Sequence, residues 1–198
     1  MLSHRLFFIR HGETDWNAER RLQGHQDIPL NQRGIWQAGE SGRRVLKMLG
    51  PKGIADAKLK FVASPLDRTV NTMRLARTAM GLSEDGYELE PRLKELTFGE
   101  WEGLTWPEVQ ARSPHAANWR EGDKWNFVPP GGESYEMLAA RLKPWLDEVD
   151  GDLIVVSHGG VARALLAMIG GLAPERAALA DVWQGRVLVF HKDRFDWD

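Results

Sequence analysis

Residues 152–160, DLIVVSHGG, constrain the fold more than any other stretch of the chain. Leu153 to Val156 is an unbroken apolar run of strand length, the pattern of a strand buried on both faces of a parallel sheet. From Val161 to Ile169 apolar residues resume at helical spacing, so a strand, a two-glycine turn and a helix follow one another directly.

Similar units flank it. Leu6 to Ile9 is a second short apolar run, followed by glycine and polar residues that read as a turn and loop. Asn31 is placed as a helix N-cap, with Ile35, Ala38, Gly42, Val45, Leu46 and Leu49 on one face and Gly50-Pro51 as the stop. Phe61 to Ala63 reads as another strand, and Val70, Met73, Ala76 and Met80 give a helix after it. Leu138, Leu142, Trp145, Leu146 and Val149 mark a helix capped by Ser134, and Val187 to Phe190 is the expected last strand. This alternation predicts a three-layer α/β/α sandwich with a mostly parallel central sheet. With 198 residues, 42% of them hydrophobic, residues 1–198 are expected to form one domain.

In open sheets of this class the ligand crevice lies at the carboxyl ends of the strands. Arg10 and His11 follow the first strand, Arg68 begins the helix after the Phe61–Ala63 strand, and His158 follows the DLIVVS strand. Either histidine alone is more often a hydrogen-bonded turn residue than a catalyst, and Arg68 alone is a solvated side chain, mildly misplaced in a first helical turn. Four such side chains at three strand ends are a different matter. If the strands are neighbours, the cluster repels divalent cations, which argues against a metal site, and suits a tetrahedral oxyanion such as phosphate. The net charge of −2, from 26 Lys and Arg against 28 Asp and Glu, excludes general binding of nucleic acid or anionic membranes. The absence of cysteine excludes disulfides and thiolate metal sites. With no signal-peptide pattern at Met1–Ile9 and no apolar stretch of about 20 residues, the expectation is a soluble, cytoplasmic protein.

Six ordered segments carry a resemblance: RHGETDWN at 10–17, RLQGHQDIPLN at 21–31, SPLDR at 64–68, LKELTFGEWEG at 93–103, PPGGES at 129–134 and VSHGGVARALL at 157–166. Together they resemble the histidine phosphatase superfamily, in its phosphoglycerate-mutase-like branch, from about residue 5 to about residue 170. The resemblance implies a phosphoglycerate-mutase-like fold and a metal-independent phosphomonoesterase of the histidine acid phosphatase type, without cofactor. It implies His11 as the nucleophile that forms a phosphohistidine, Glu95 as general acid and base, and Arg10, Arg68 and His158 as stabilisers of the transferring phosphoryl group. Asn17 would add a neutral donor, and Gln23, Gly24 and Gly159 would complete the substrate-binding residues. Glu100 and Glu102 lie close by, but only Glu95 falls on the family's acid position.

The implied substrate is a small phosphorylated metabolite, on the pattern of broad-specificity or α-ribazole phosphatases. Phosphoglycerate mutases carry longer insertions and another motif where this chain has FGEWEG, so mutase activity ranks second. Phosphohistidine phosphatases rank lower still, and so does an inactive phospho-ligand-binding relative, since His11 and Glu95 are both present. Residues 104–130 are expected to form a cap that selects the leaving group, with a short helix starting at Thr105-Trp106-Pro107-Glu108. Trp101 to Trp125 holds four of the nine tryptophans, which either contact substrate or pack the segment onto the body. Trp183 and the last strand are compatible with a homodimer contact or with the core.

Overall fold

The computed structural model describes residues 4–56 and 58–198. Residues 1–3, within the Met1–Ile9 stretch and the domain expected over 1–198, lie outside the described residues. Six strands form one sheet: β1 (Leu6–Arg10), β2 (Lys60–Ala63), β3 (Glu88–Leu89), β4 (Leu153–Ser157), β5 (Val187–His191) and β6 (Arg194–Trp197). Their spatial order is β3-β2-β4-β1-β5-β6. The first four run parallel, and β5 and β6 are antiparallel.

The helices are α1 (Asp15–Ala18), α2 (Gln32–Ile54), α3 (Asp67–Ala79), α4 (Trp106–Arg112), α5 (Pro114–Gly122), α6 (Tyr135–Glu148), α7 (Gly159–Met168) and α8 (Pro174–Ala177). Alternation along the strands sorts the core into two. Leu6 and Phe8 pack with Leu138, Leu142, Leu165 and Leu166 on one face, while Phe7 and Ile9 pack with Val45, Met73 and Ala76 on the other. Helices α6, α7 and α8 therefore cover one face and α2 and α3 the other, which is the three-layer arrangement. Every residue of β4 is buried, as its unbroken apolar run demands. Each of its larger side chains contributes about 1.5–3 kcal/mol of transfer free energy.

Local signals hold at the helix ends. Asn31 accepts a hydrogen bond from the Gly34 N–H at 2.9 Å, and Ser134 caps α6 through the Met137 N–H at 3.1 Å. The helical run of α2 breaks at Gly50, whose φ of 69° only glycine adopts freely, and a further turn restarts at Pro51. The chain does not end its sheet at Phe190. Lys192 and Asp193 take φ of 51° and 57°, a turn that folds β6 back on β5, and neither residue is the glycine or asparagine that normally signals it. Among the described residues no helix is long and apolar enough to cross a membrane.

Residues 101–127 build a small cluster of their own, in which Trp101, Val109, Ala117 and Phe127 are buried. Helix α4 is capped by Thr105, whose N–H donates to the Glu108 carboxylate at 2.7 Å. Trp125 instead stacks on Tyr135, ring centroids 5.7 Å apart, and packs on the main core. Of the four tryptophans only Trp119 is largely exposed, at 68%. Packing thus accounts for the other three. Val187, Leu188 and Phe190 are core, whereas Trp183 is 45% exposed and packs on Trp197.

Candidate active site

The sheet order makes β4 the neighbour of both β1 and β2, so the three loops that carry the charged residues open side by side. Arg10 pairs in register with Ser157, and the His11 N–H donates to the Ser157 carbonyl at 2.9 Å. His11 and His158 consequently stand next to each other, rings edge-on with centroids 5.2 Å apart. A cavity of about 150 Å³ opens there, lined by Arg10, His11, Asn17, Gln23, Gly24, Arg68, Glu95, Gly159 and others. His158 is fully buried beside His11 and is not among the lining residues. A larger hollow beside Glu40, Arg44 and Asp198 has charges that already pair with one another.

His11 Nδ1 lies 2.8 Å from the Gly12 carbonyl oxygen. A carbonyl only accepts, so Nδ1 carries the proton and Nε2 keeps its lone pair. Burial, reinforced by the Arg68 and Arg10 guanidinium groups, holds the His11 pKa well below 6.5. Burial and the same two arginines, with His11 and His25, do the same to His158. Both rings are neutral at physiological pH. His158 Nε2 is 2.8 Å from Ser64 Oγ, and its Nδ1 has no partner.

The arginines are held by backbone. Arg68, fully buried, donates to the carbonyls of Gly24 and Gln26 at 2.7 Å each, and Arg10 donates to the Val182 carbonyl at 2.8 Å. Burial, with Arg163 nearby, pushes Arg10 down to about 10, and burial lowers Arg68, so both remain cations. Among the described residues, Arg10 Nε, Arg68 Nε and Gln23 Nε2 are buried without partners. Guanidinium and amide donors gathered at one crevice suit an anion. Asn17 Nδ2 and Thr14 Oγ1 reach Gln23 Oε1 at 3.3 and 3.1 Å, tying the loop after β1 to Gln23.

Glu95 lines the same cavity. Its carboxylate accepts the N–H groups of Leu96 and Gly160, each at 3.0 Å. Neither Glu100 nor Glu102 lines the cavity. Glu100 is exposed, and Glu102 Oε1 is taken by the His25 N–H at 3.0 Å, Thr97 Oγ1 at 2.7 Å and the Phe98 N–H at 3.2 Å. Glu102 also fills the space beside Gly24, where a Cβ would fall 1.9 Å from its Oε1.

A sequence model of the histidine phosphatase superfamily (branch 1) matches residues 6–197. The chain belongs to that superfamily. Among superfamily relatives, a glucosyl-3-phosphoglycerate phosphatase of Mycobacterium tuberculosis is 33% identical over 183 residues, 85% of this chain and 76% of that one. A 2,3-bisphosphoglycerate-dependent phosphoglycerate mutase of Beijerinckia indica is 31% identical over 199 residues, 93% of this chain and 90% of that one. The crystal structure of an alpha-ribazole phosphatase from Shigella flexneri superposes with a TM-score of 0.77 at 25% identity, covering 98% of this chain and 94% of that one. The fold is therefore phosphoglycerate-mutase-like, and phosphatases and mutases both stand among this superfamily chain's relatives.

Three groups at this superfamily site were not singled out from the sequence. Gln184 Nε2, from the loop before β5, donates to the His11 carbonyl at 3.0 Å and to Asn17 Oδ1 at 3.1 Å. No local pattern marks it. Ser64 holds His158, and Gly160 leaves room for Glu95; the Gly159-Gly160 doublet after His158 is the one visible signal for the latter.

Proposed function

We propose that this protein is a phosphomonoester hydrolase of small phosphorylated metabolites that works through a phosphohistidine on His11. The observation that carries the reading is the His11 ring: Nδ1–H is fixed on the Gly12 carbonyl, and the unprotonated Nε2 belongs to a neutral ring wedged among Arg10, Arg68 and His158. In this reading the Nε2 lone pair attacks phosphorus as the ester P–O bond breaks, and the proton on Glu95 passes to the departing alkoxide, which leaves as an alcohol. Water then attacks the phosphohistidine, Glu95 takes its proton, and inorganic phosphate leaves with His11 and Glu95 restored. Arg10 and Arg68 hold the equatorial oxygens through the donors left unpaired, and His158 contributes from behind His11. Charge stabilisation that a divalent cation provides in other phosphoryl transfers is assigned here to these side chains. Residues 104–130 serve as the cap, and the ligand is a small phosphoester.

The mutase relative supports a second reading, in which the acceptor is a substrate hydroxyl and not water. The test is phosphate release from a panel of phosphomonoesters in excess EDTA, with His11→Ala as the blank, together with intact mass after acid-free quenching. Turnover and a labile phosphoryl adduct in the wild type alone are expected. Interconversion of phosphoglycerates without phosphate release would establish the mutase, and no adduct with any ester would overturn both.

A further inference from the structure

One short segment joins Arg68 to Glu95. The carbonyls that hold the Arg68 guanidinium belong to Gly24 and Gln26, the two neighbours of His25. His25 itself bonds to the segment that carries the acid. Its N–H donates to Glu102 Oε1 at 3.0 Å, and the same oxygen accepts from Thr97 Oγ1 and the Phe98 N–H, so the main chain at residue 25 is fastened to residues 97–102.

The His25 ring completes the link. Its Nε2 lies 2.7 Å from the backbone carbonyl oxygen of Glu95. A carbonyl only accepts, so Nε2 carries a proton. The peptide group between Glu95 and Leu96 has its N–H on the Glu95 carboxylate, at 3.0 Å. One peptide group is thus gripped by His25 at its oxygen and grips the acid at its nitrogen. Because the group is planar, the bond that fixes its carbonyl also fixes the direction of its N–H. A bonded carbonyl also polarises the N–H and strengthens the bond that it donates.

The loop has other anchors besides this ring. Asp27 accepts the Asp67 N–H at 3.0 Å, while Glu102 and Arg68 hold the main chain on either side. His25 is exposed, so truncating its ring opens no cavity, and it is not among the residues that line the phosphoryl cavity.

We propose that His25 is a positioning residue for the acid, which through the Glu95–Leu96 peptide aims the Glu95 carboxylate at the leaving oxygen of a phosphoryl group held by Arg68. This rests on the phosphoester reading and adds to it a residue that acts without touching the substrate.

Two variants and two esters test it. His25→Ala removes the bond to the Glu95 carbonyl, whereas His25→Gln keeps a donor, since the glutamine amide nitrogen reaches the place of Nε2. Glycerol 3-phosphate leaves as an alkoxide that needs a proton, and para-nitrophenyl phosphate leaves without one. In His25→Ala, kcat/KM is expected to fall about tenfold on the first ester and less than about twofold on the second, and His25→Gln should recover most of the loss. Inhibition by inorganic phosphate should stay at the wild-type level, because the carbonyls that hold Arg68 are backbone groups and survive the substitution. Equal losses on both esters, no recovery with glutamine, or weakened phosphate inhibition overturns the proposal.

Amide hydrogen exchange reads the same contact without turnover. The Leu96 amide should exchange about fivefold faster in His25→Ala, the worth of one hydrogen bond, and at the wild-type rate in His25→Gln. An unchanged rate in His25→Ala also overturns the proposal. If neither ester is hydrolysed, the hydrolase reading fails, and the Leu96 exchange rate still decides whether His25 holds the peptide of Glu95.

Discussion

The Glu95 carboxylate occupies the space that a side chain on Gly160 would need. The Gly160 N–H donates to Glu95 Oε2 at 3.0 Å, and a Cβ on Gly160 would fall 2.2 Å from Glu95 Oε1 and 2.5 Å from Leu96 Cδ2. The second glycine of α7 thus positions the Glu95 carboxylate, contributed by a loop more than 60 residues earlier. Gly160→Ala should push the carboxylate out of place and reduce kcat by about 10²–10⁴-fold on alkyl phosphates, the scale of a general acid. An aryl phosphate with a good leaving group depends less on protonation and should lose less. Equal losses on both would assign the glycine a purely structural part.

Replacing His11 by Ala should remove the phosphoryl adduct seen by intact mass and reduce turnover by about 10⁴-fold or more, the scale of losing a nucleophile. An adduct that persists in the variant would place the nucleophile elsewhere.

Both His11 and His158 have pKa values held well below 6.5 in the fold. The unfolded chain therefore binds protons that the folded chain refuses, so their neutral burial carries no protonation cost above pH 6.5 and opposes folding increasingly as the pH falls below it. Each can contribute a slope of up to about 1.4 kcal/mol per pH unit below that point. Urea midpoints measured at pH 7 and 5 should show the loss, and His11→Gln should flatten it by about half. Equal midpoints at the two pH values would mean that the rings accept protons within the fold.

Among the described residues, Ser64 Oγ is the one hydrogen-bond partner of the His158 ring. Ser64→Ala strands Nε2 in a fully buried site, at a cost of about 1–3 kcal/mol in stability by chemical denaturation. It should also lower kcat, because the ring loses its anchor beside His11.

Gln184 ties the His11 carbonyl to Asn17. Gln184→Ala should cost about 1 kcal/mol in stability and about tenfold in kcat/KM, with the pH profile unchanged, since no titrating group is lost. A stability loss without any kinetic change would show that β1 alone holds the loop.

Much of this protein is written locally. The apolar run at Leu153–Val156 marked a central buried strand, because a short β-branched run of strand length suits a strand covered on both faces. Asn31, Ser134 and Gly50 marked their helix ends because capping and left-handed backbone are properties of single residues. Arg10, His11, Arg68 and His158 were visible as a group because strand ends in such a sheet point to one crevice, and Glu95 through the resemblance of its segment to the family. The tertiary structure decided what depends on residues distant in sequence. That β4 lies between β1 and β2 sets the histidines edge to edge. Tautomer and proton state follow from the Gly12 carbonyl and from burial, neither of which a sequence expresses. Gln184, Ser64 and Gly160 act through contacts spanning 65 to 173 residues, and the β5–β6 turn through backbone angles that Lys192 and Asp193 seldom adopt.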